Sequence, residues 1–150
     1  MDSPTATEPV DLLLIEDQPS DAELALRALR KLNLGERTHL VEDGATALDF
    51  VFGRNDYAAR SITEAPALIL LDLKLPKVNG HEVLQALKSD DRTKPIPVVV
   101  LSSSKEDRDV QRCYELGVNS YVVKPVDFGR FTETIQRIGS YWLKTNERPA

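Results

Sequence analysis

Cysteine occurs once in this chain of 150 residues, at Cys113. No intrachain disulfide can therefore form, and no cysteine-based zinc site can close within one chain. Long apolar runs are also missing: none approaches the roughly 20 residues that cross a bilayer. The first residues, Met1 to Pro9, have neither a basic start nor an apolar stretch and do not read as a secretory signal. A basic excess is absent too. Nineteen Lys and Arg stand against twenty-four Asp and Glu, a net charge of −5, which argues against a chain whose main business is gripping nucleic acid or an anionic membrane. What is present, 41% hydrophobic and 29% charged residues, is a globular rather than a disordered balance. The length suits one domain with its own core. A cytoplasmic location is expected.

Residues 1–9 are expected to form a short disordered lead, residues 10–145 one domain and residues 146–150 a tail. Four short apolar runs punctuate the domain. Leu12-Leu13-Leu14-Ile15 stops at Glu16-Asp17, and Leu68-Ile69-Leu70-Leu71 stops at Asp72. Val98-Val99-Val100-Leu101 stops at Ser102, and Tyr121-Val122-Val123 stops at Lys124-Pro125. Continuous apolar runs without polar alternation suit strands covered on both faces, as in a parallel sheet. Thr38-His39-Leu40-Val41 is a weaker fifth candidate. Between the runs, helical spacing appears in Ala25, Ala28, Leu29 and Leu32, in Ala45, Leu48 and Phe52, in Val83, Leu84 and Leu87, and in Val110, Cys113 and Tyr114. The clearest stripe is Phe128, Phe131, Ile135, Ile138 and Trp142. Alternating strand and helix predicts an α/β fold of five βα units with helices on both faces. The connection from Gly53 to Pro66 is longer than usual and its function is unreadable from the sequence.

Ligands of parallel α/β sheets bind beyond the carboxyl ends of the strands. Those ends here carry Glu16, Asp17, Asp72, Ser102 and Lys124. Any one of them is explained by a strand meeting solvent; all together at one rim point to a site. Three converging carboxylates repel one another unless a cation sits among them, and an all-oxygen set with room for water suits Mg2+. Such an ion would recruit an anionic ligand with oxygens to share, a phosphoryl group being the natural one. Lys124 offers a point charge and Ser102 a hydroxyl to its other oxygens. Carboxylates form aspartyl-phosphate intermediates, and Asp72, at the end of the central run, is best placed as nucleophile. The loop after it can lend the backbone carbonyl of Lys74 to the metal.

This constellation resembles the receiver domain of two-component response regulators. The residues that carry the likeness are Leu14-Ile15-Glu16-Asp17, Leu70-Leu71-Asp72-Leu73-Lys74-Leu75-Pro76 with Asn79-Gly80, Val100-Leu101-Ser102-Ser103 and Tyr121-Val122-Val123-Lys124-Pro125. The resemblance implies a flavodoxin-like, five-stranded, doubly wound parallel sheet of order 2-1-3-4-5. It also implies that Asp72 accepts a phosphoryl group from a phosphohistidine on a sensor histidine kinase, with Glu16 and Asp17 organising Mg2+. Two departures stand out. Glu16 replaces a common aspartate, which lets it reach the metal directly or through water, and Ser102 stands where threonine is also common. Tyr121 falls at the family's aromatic switch position, where the ring turns inward as the Ser102 hydroxyl moves; an ordinary strand-edge tyrosine is the alternative. Lys74 and Ser104 fall where the family tunes access of water.

No DNA-reading module fits in the remainder after the last helix, so output is expected through partners: a phosphotransfer protein, a target enzyme or a second copy. Tyr141 and Trp142 extend past the part of that helix that covers the sheet and suit a homodimer interface, unless Trp142 folds back over its own domain. The long connection, Leu75-Pro76-Lys77 and the terminal Tyr-Trp look like the subgroup paired with bacterial phytochromes. His39 and His81 have no partner at ligand spacing and are expected on the surface or in loops, and Cys113 is expected to fill core. The rival of another class is a Mg2+-dependent phosphohydrolase. It would need a second carboxylate two residues beyond the nucleophile, where this chain has Lys74. A flavodoxin-like cofactor binder would need a Gly-rich phosphate loop after the first strand, and none is there.

Overall fold

The computed structural model describes residues 9–149. All but Pro9 of the expected lead, and Ala150 of the expected tail, lie outside the described residues. Strands β1 (Leu12–Ile15), β2 (Thr38–Val41), β3 (Leu68–Leu71), β4 (Val98–Ser102) and β5 (Ser120–Val123) alternate with α1 (Pro19–Lys31), α2 (Gly44–Phe52), α3 (Gly80–Ser89), α4 (Asp107–Leu116) and α5 (Phe128–Ser140). The strands form one parallel sheet in the order β2-β1-β3-β4-β5. This is the doubly wound arrangement that the resemblance implies, and the weak run at Thr38–Val41 is its edge strand.

The apolar runs serve two cores at once, because successive strand side chains point to opposite faces. Leu13, Ile15, Ile69, Leu71, Val98 and Val100 pack toward α2, α3 and α4, whose Phe50, Val83, Leu84, Leu87 and Cys113 share that cluster. Leu12, Leu14, Leu68, Leu70, Val99 and Leu101 pack toward α1 and α5, joined by Ala25, Leu29, Phe131, Ile135 and Ile138. A run with no polar residue is therefore required, since neither face of β1, β3 or β4 meets water. Cys113 is core filler, fully buried as expected.

Several expectations need correction. Tyr114, set in the α4 stripe, is 52% exposed. Phe128 opens the α5 stripe in sequence, yet its ring is 74% exposed, because it is the first residue after the Asp127 cap and precedes the buried face. His39 is not a partnerless surface residue. Its Nε2 lies 2.9 Å from the Tyr57 hydroxyl and its ring stacks on Phe50 at 4.8 Å. Tyr57 belongs to a single 3-10 turn, Asn55–Tyr57, within the long connection, so this contact anchors that segment to the sheet edge. Burial holds the His39 imidazole below its ordinary pKa, as does the nearby Arg60 charge.

After Ser140 the last helix widens into a π turn, Tyr141–Thr145. The terminal aromatic pair is divided there: Trp142 is half-buried against the α1 and α5 core, while Tyr141 stays 50% exposed.

Candidate functional site

Register creates the site. Ile15 pairs with Leu71 at the level where β1 and β3 end, so Glu16 and Asp72 leave the sheet side by side. The Asp72 N–H donates to the Ile15 carbonyl at 3.1 Å, which carries the ladder one residue further. On the other side, the Lys124 N–H donates to the Ser102 carbonyl at 2.8 Å, fixing the start of the β5–α5 loop against β4. The loop after Asp72 is folded back tightly. Gly80 donates to the Leu73 carbonyl, and a Cβ on Gly80 would stand only 2.5 Å from the Asp72 carbonyl oxygen. Glycine is needed so that α3 can start against this strand end. Asn79 caps α3 through a reciprocal pair with Glu82, at 3.0 and 3.2 Å.

Carboxylate oxygens of Glu16, Asp17 and Asp72 lie within 4.8 Å of one another. Glu16 and Asp72 are buried and Asp17 is half-buried at the mouth. The Lys124 ammonium enters this group and donates to Glu16 Oε1 at 2.6 Å, Asp21 Oδ2 at 3.0 Å and Asp72 Oδ2 at 3.4 Å. The other oxygen of Asp72 accepts from the Lys74 N–H at 3.3 Å, and Glu16 Oε2 accepts from the Gln18 N–H at 3.2 Å.

The electrostatics follow from crowding in a dry place. Burial, with the Asp72 charge beside it, pushes the Glu16 carboxyl up to about 7, even though the Lys124 hydrogen bond pulls the other way. Burial likewise works against charge on Lys124, but the hydrogen bond to Glu16, the charges of Asp72 and Glu16 and the hydrogen bond to Asp21 outweigh it and hold the ammonium above its ordinary value. Charge is thus poorly compensated around Glu16. Three hard oxygen donors converging from separate backbone positions fit a divalent cation such as Mg2+ or Mn2+ and do not suit a thiophilic metal.

A cleft of about 460 Å³ opens beside the carboxylates, lined among others by Asp17, Lys74, Ser102, Ser104 and His81. Ser102 is buried, and its hydroxyl oxygen accepts from the Ser104 N–H at 3.1 Å, which leaves its own proton to donate. The Tyr121 hydroxyl donates to the Ser104 carbonyl at 2.8 Å, and the Ser104 hydroxyl donates to Asp109 Oδ2 at 2.6 Å. One residue therefore connects the serine at the cleft, the tyrosine on β5 and helix α4. His81 is not a bystander either: it lines the cleft and lies 4.0 Å from Asp109.

Glu16, Asp17, Asp72, Ser102 and Lys124 thus share one rim, and Tyr121 reaches it through Ser104. Tyr141 and Trp142 do not line this cleft. Sequence reasoning missed Asp21, Asp109 and the placement of His81. For Asp21 a signal existed: it follows Asp17 by four residues across Pro19, so it falls in the first turn of α1 and faces the same rim. Asp109 gave none, since an acidic residue early in a helix is ordinary.

A parallel sheet of order 2-1-3-4-5 with an acidic cluster, a lysine and a serine at its carboxyl rim defines the receiver class of signalling domain. The chain belongs to the response regulator receiver domain family, whose model matches residues 12–136. Among its relatives, the probable methanogenesis regulatory protein FilR2 of Methanothrix harundinacea is 42% identical over 144 residues, covering 96% of this chain and 90% of that protein. Response regulator Rcp1 of Synechocystis is 36% identical over 148 residues, 99% of each chain. The Mn2+-bound crystal form of Rcp1 superposes with a TM-score of 0.85 at 37% identity, covering 93% of this chain and 98% of that one. The bacteriophytochrome response regulator RtBRR is 51% identical with a TM-score of 0.72, covering 92% of this chain and 82% of that one. The protein is a response regulator, similar in sequence and fold to Rcp1 and to the bacteriophytochrome regulator RtBRR, and the phosphohydrolase alternative is left without support.

Proposed function

We propose that Asp72 is the phosphoacceptor of this response regulator and that its donor is a phosphohistidine on a sensor histidine kinase. The observation that carries this is the Lys124 ammonium set among Glu16, Asp21 and Asp72 at the rim of the sheet, with the Ser102 hydroxyl on the same cleft. An Asp72 carboxylate oxygen attacks phosphorus, the P–O bond forms as the P–N bond breaks, and the electron pair returns to the imidazole of the donor. Lys124 and Ser102 hold two of the phosphoryl oxygens. Mg2+, held by Glu16, Asp17, Asp72 and the Lys74 carbonyl, supplies charge neutralisation for the transferring group when bound. A phosphoryl group on Asp72 then accepts the free proton of the Ser102 hydroxyl and draws that hydroxyl inward, away from the Ser104 N–H that donates to it. That loosens the Ser104 link to Tyr121 and α4 and changes the face formed by α4, β5 and α5.

Incubation with Mg2+ and acetyl phosphate should add one phosphoryl group by intact mass, and a chelator should prevent it. Equal labelling with and without the divalent ion overturns the metal-assisted mechanism.

The partner best supported is a light-sensing kinase of the phytochrome class, since identity is higher to a bacteriophytochrome regulator (51%) than to FilR2 (42%). Output would pass to a phosphotransfer protein or a target protein, and we place the protein in the cytoplasm. No helix among the described residues is long and apolar enough to cross a membrane. Self-association is assigned to the C-terminal helical face, where Tyr141 packs edge-on against Trp142 at 5.1 Å while keeping half its ring in solvent. Trp142, seated partly on its own core, supports that edge from below. Tyr141→Ala should weaken the dimer in sedimentation while unfolding like the parent at concentrations where both are monomeric; parent and variant sedimenting alike removes this face as the interface.

A further inference from the structure

We propose that Asp21 is a positioning residue for Lys124, holding its ammonium beside the phosphoryl site while Glu16 and Asp72 are engaged elsewhere. The inference rests on the phosphoacceptor reading above and assigns a role to a carboxylate that the transfer step itself leaves without one.

An ammonium has three protons, and Lys124 spends them on Glu16, Asp21 and Asp72. Two of these partners have other duties. Glu16 and Asp72 belong to the trio whose oxygens lie within 4.8 Å of one another, and Asp21 does not. Once a cation and a phosphoryl group occupy the rim, the negative charge on Asp72 moves out to the phosphoryl oxygens and Glu16 turns to the metal. Asp21 alone among the three keeps both its charge and its place.

That place is rigid. Asp21 sits in the first turn of α1, a 13-residue helix opened by Pro19 and packed on α5 through Ala25, Ala28 and Leu29. The positive end of the helix favours a carboxylate there. The Lys124 side chain is 10% exposed against 32% for Asp21, so the contact lies at the edge of the buried rim. A lysine is otherwise a poor fixed donor, because its four-carbon stem is mobile. With one proton held by Asp21, the ammonium turns about a fixed point, and its other two protons are aimed at the acceptor. Without Asp21 the ammonium collapses onto Glu16 and Asp72, where it shields the attacking oxygen.

A mutant cycle on Asp21 and Lys124 tests this. Asp21→Ala, Lys124→Met and the double variant are compared with the parent at saturating Mg2+. The readouts are the rate of phosphoryl incorporation from acetyl phosphate and the affinity for beryllofluoride, which needs no covalent step and so reports even where a variant is not phosphorylated. In the parent background Asp21→Ala should cost about tenfold in each, the scale of one hydrogen bond between charged partners. In the Lys124→Met background the same change should cost less than about twofold, and Asp21→Asn, which keeps an acceptor without the charge, should recover part of the loss. An equal loss in both backgrounds shows that Asp21 acts through folding or general charge, and no loss in the parent shows that it does not position Lys124; either overturns the proposal. A parent that takes up no phosphoryl group at Asp72 instead defeats the phosphoacceptor reading itself, which the comparison among variants does not touch.

Discussion

Asp72→Asn should take up no phosphoryl group from acetyl phosphate, a loss of at least about a thousandfold in rate, while folding as well as the parent. An amide oxygen has the shape of the carboxylate but neither its charge nor its nucleophilicity. Everything else at the rim remains: Lys124 keeps Glu16 at 2.6 Å and Asp21 at 3.0 Å as partners. The change also removes one of the charges that raise the Glu16 pKa, so the metal-free variant is relieved of repulsion rather than strained. Intact mass under the same Mg2+ and donor concentrations, with thermal unfolding in parallel, checks both halves. Labelling that survives the substitution would move the acceptor to Glu16 or Asp17. A variant that fails to fold would mean that the Asp72 side chain holds the strand ends together, a duty its two side-chain hydrogen bonds, at 3.3 and 3.4 Å, do not suggest; the backbone link to Ile15 is untouched by the substitution.

The sheet and its rim were legible in the sequence because both are written locally. An uninterrupted Leu68-Ile69-Leu70-Leu71 admits only a strand covered on both faces, and Asp72 directly after it must emerge at the carboxyl end. The same reasoning places Glu16, Ser102 and Lys124. What stayed hidden depends on contacts between segments distant in sequence. Lys124 meets Asp21 across 103 positions, and His39 meets Tyr57 through the folding of a connection with no periodic pattern of its own. Phe128 misled because helical spacing continues past a cap, whereas burial begins only where the helix touches the sheet. The resemblance places Ser104 where access of water is tuned; that its carbonyl, hydroxyl and N–H each hold a different element is a matter of loop geometry that no spacing rule carries.

Divalent metal binding should weaken as pH falls below about 7, approaching tenfold per unit, and each ion bound near pH 6 should release close to one proton. The proton is that of Glu16, whose carboxyl stands near 7 because it is buried and lies beside Asp72. A cation must displace it, since only the carboxylate ligates. The same shift carries a stability consequence of definite sign. The folded, metal-free chain holds the Glu16 proton more tightly than the unfolded chain, whose carboxyl titrates near 4.5. Stability from this group is therefore greatest at low pH, falls as pH rises from 4.5 to 7 and is flat above. His39 works in the opposite direction, because its lowered pKa makes the unfolded chain the better proton binder below 6.5. The two are separated by comparing the parent with Glu16→Gln, in which the His39 contribution is common and cancels. Calorimetric titration with Mg2+ at pH 6 and pH 8 should show the pH dependence and proton release in the parent and lose both in Glu16→Gln, and in chelator the stability advantage of the variant should grow from pH 5 to pH 7. Equal metal affinity at the two pH values would show that Glu16 is already ionised in the folded protein, with the Lys124 hydrogen bond outweighing its burial.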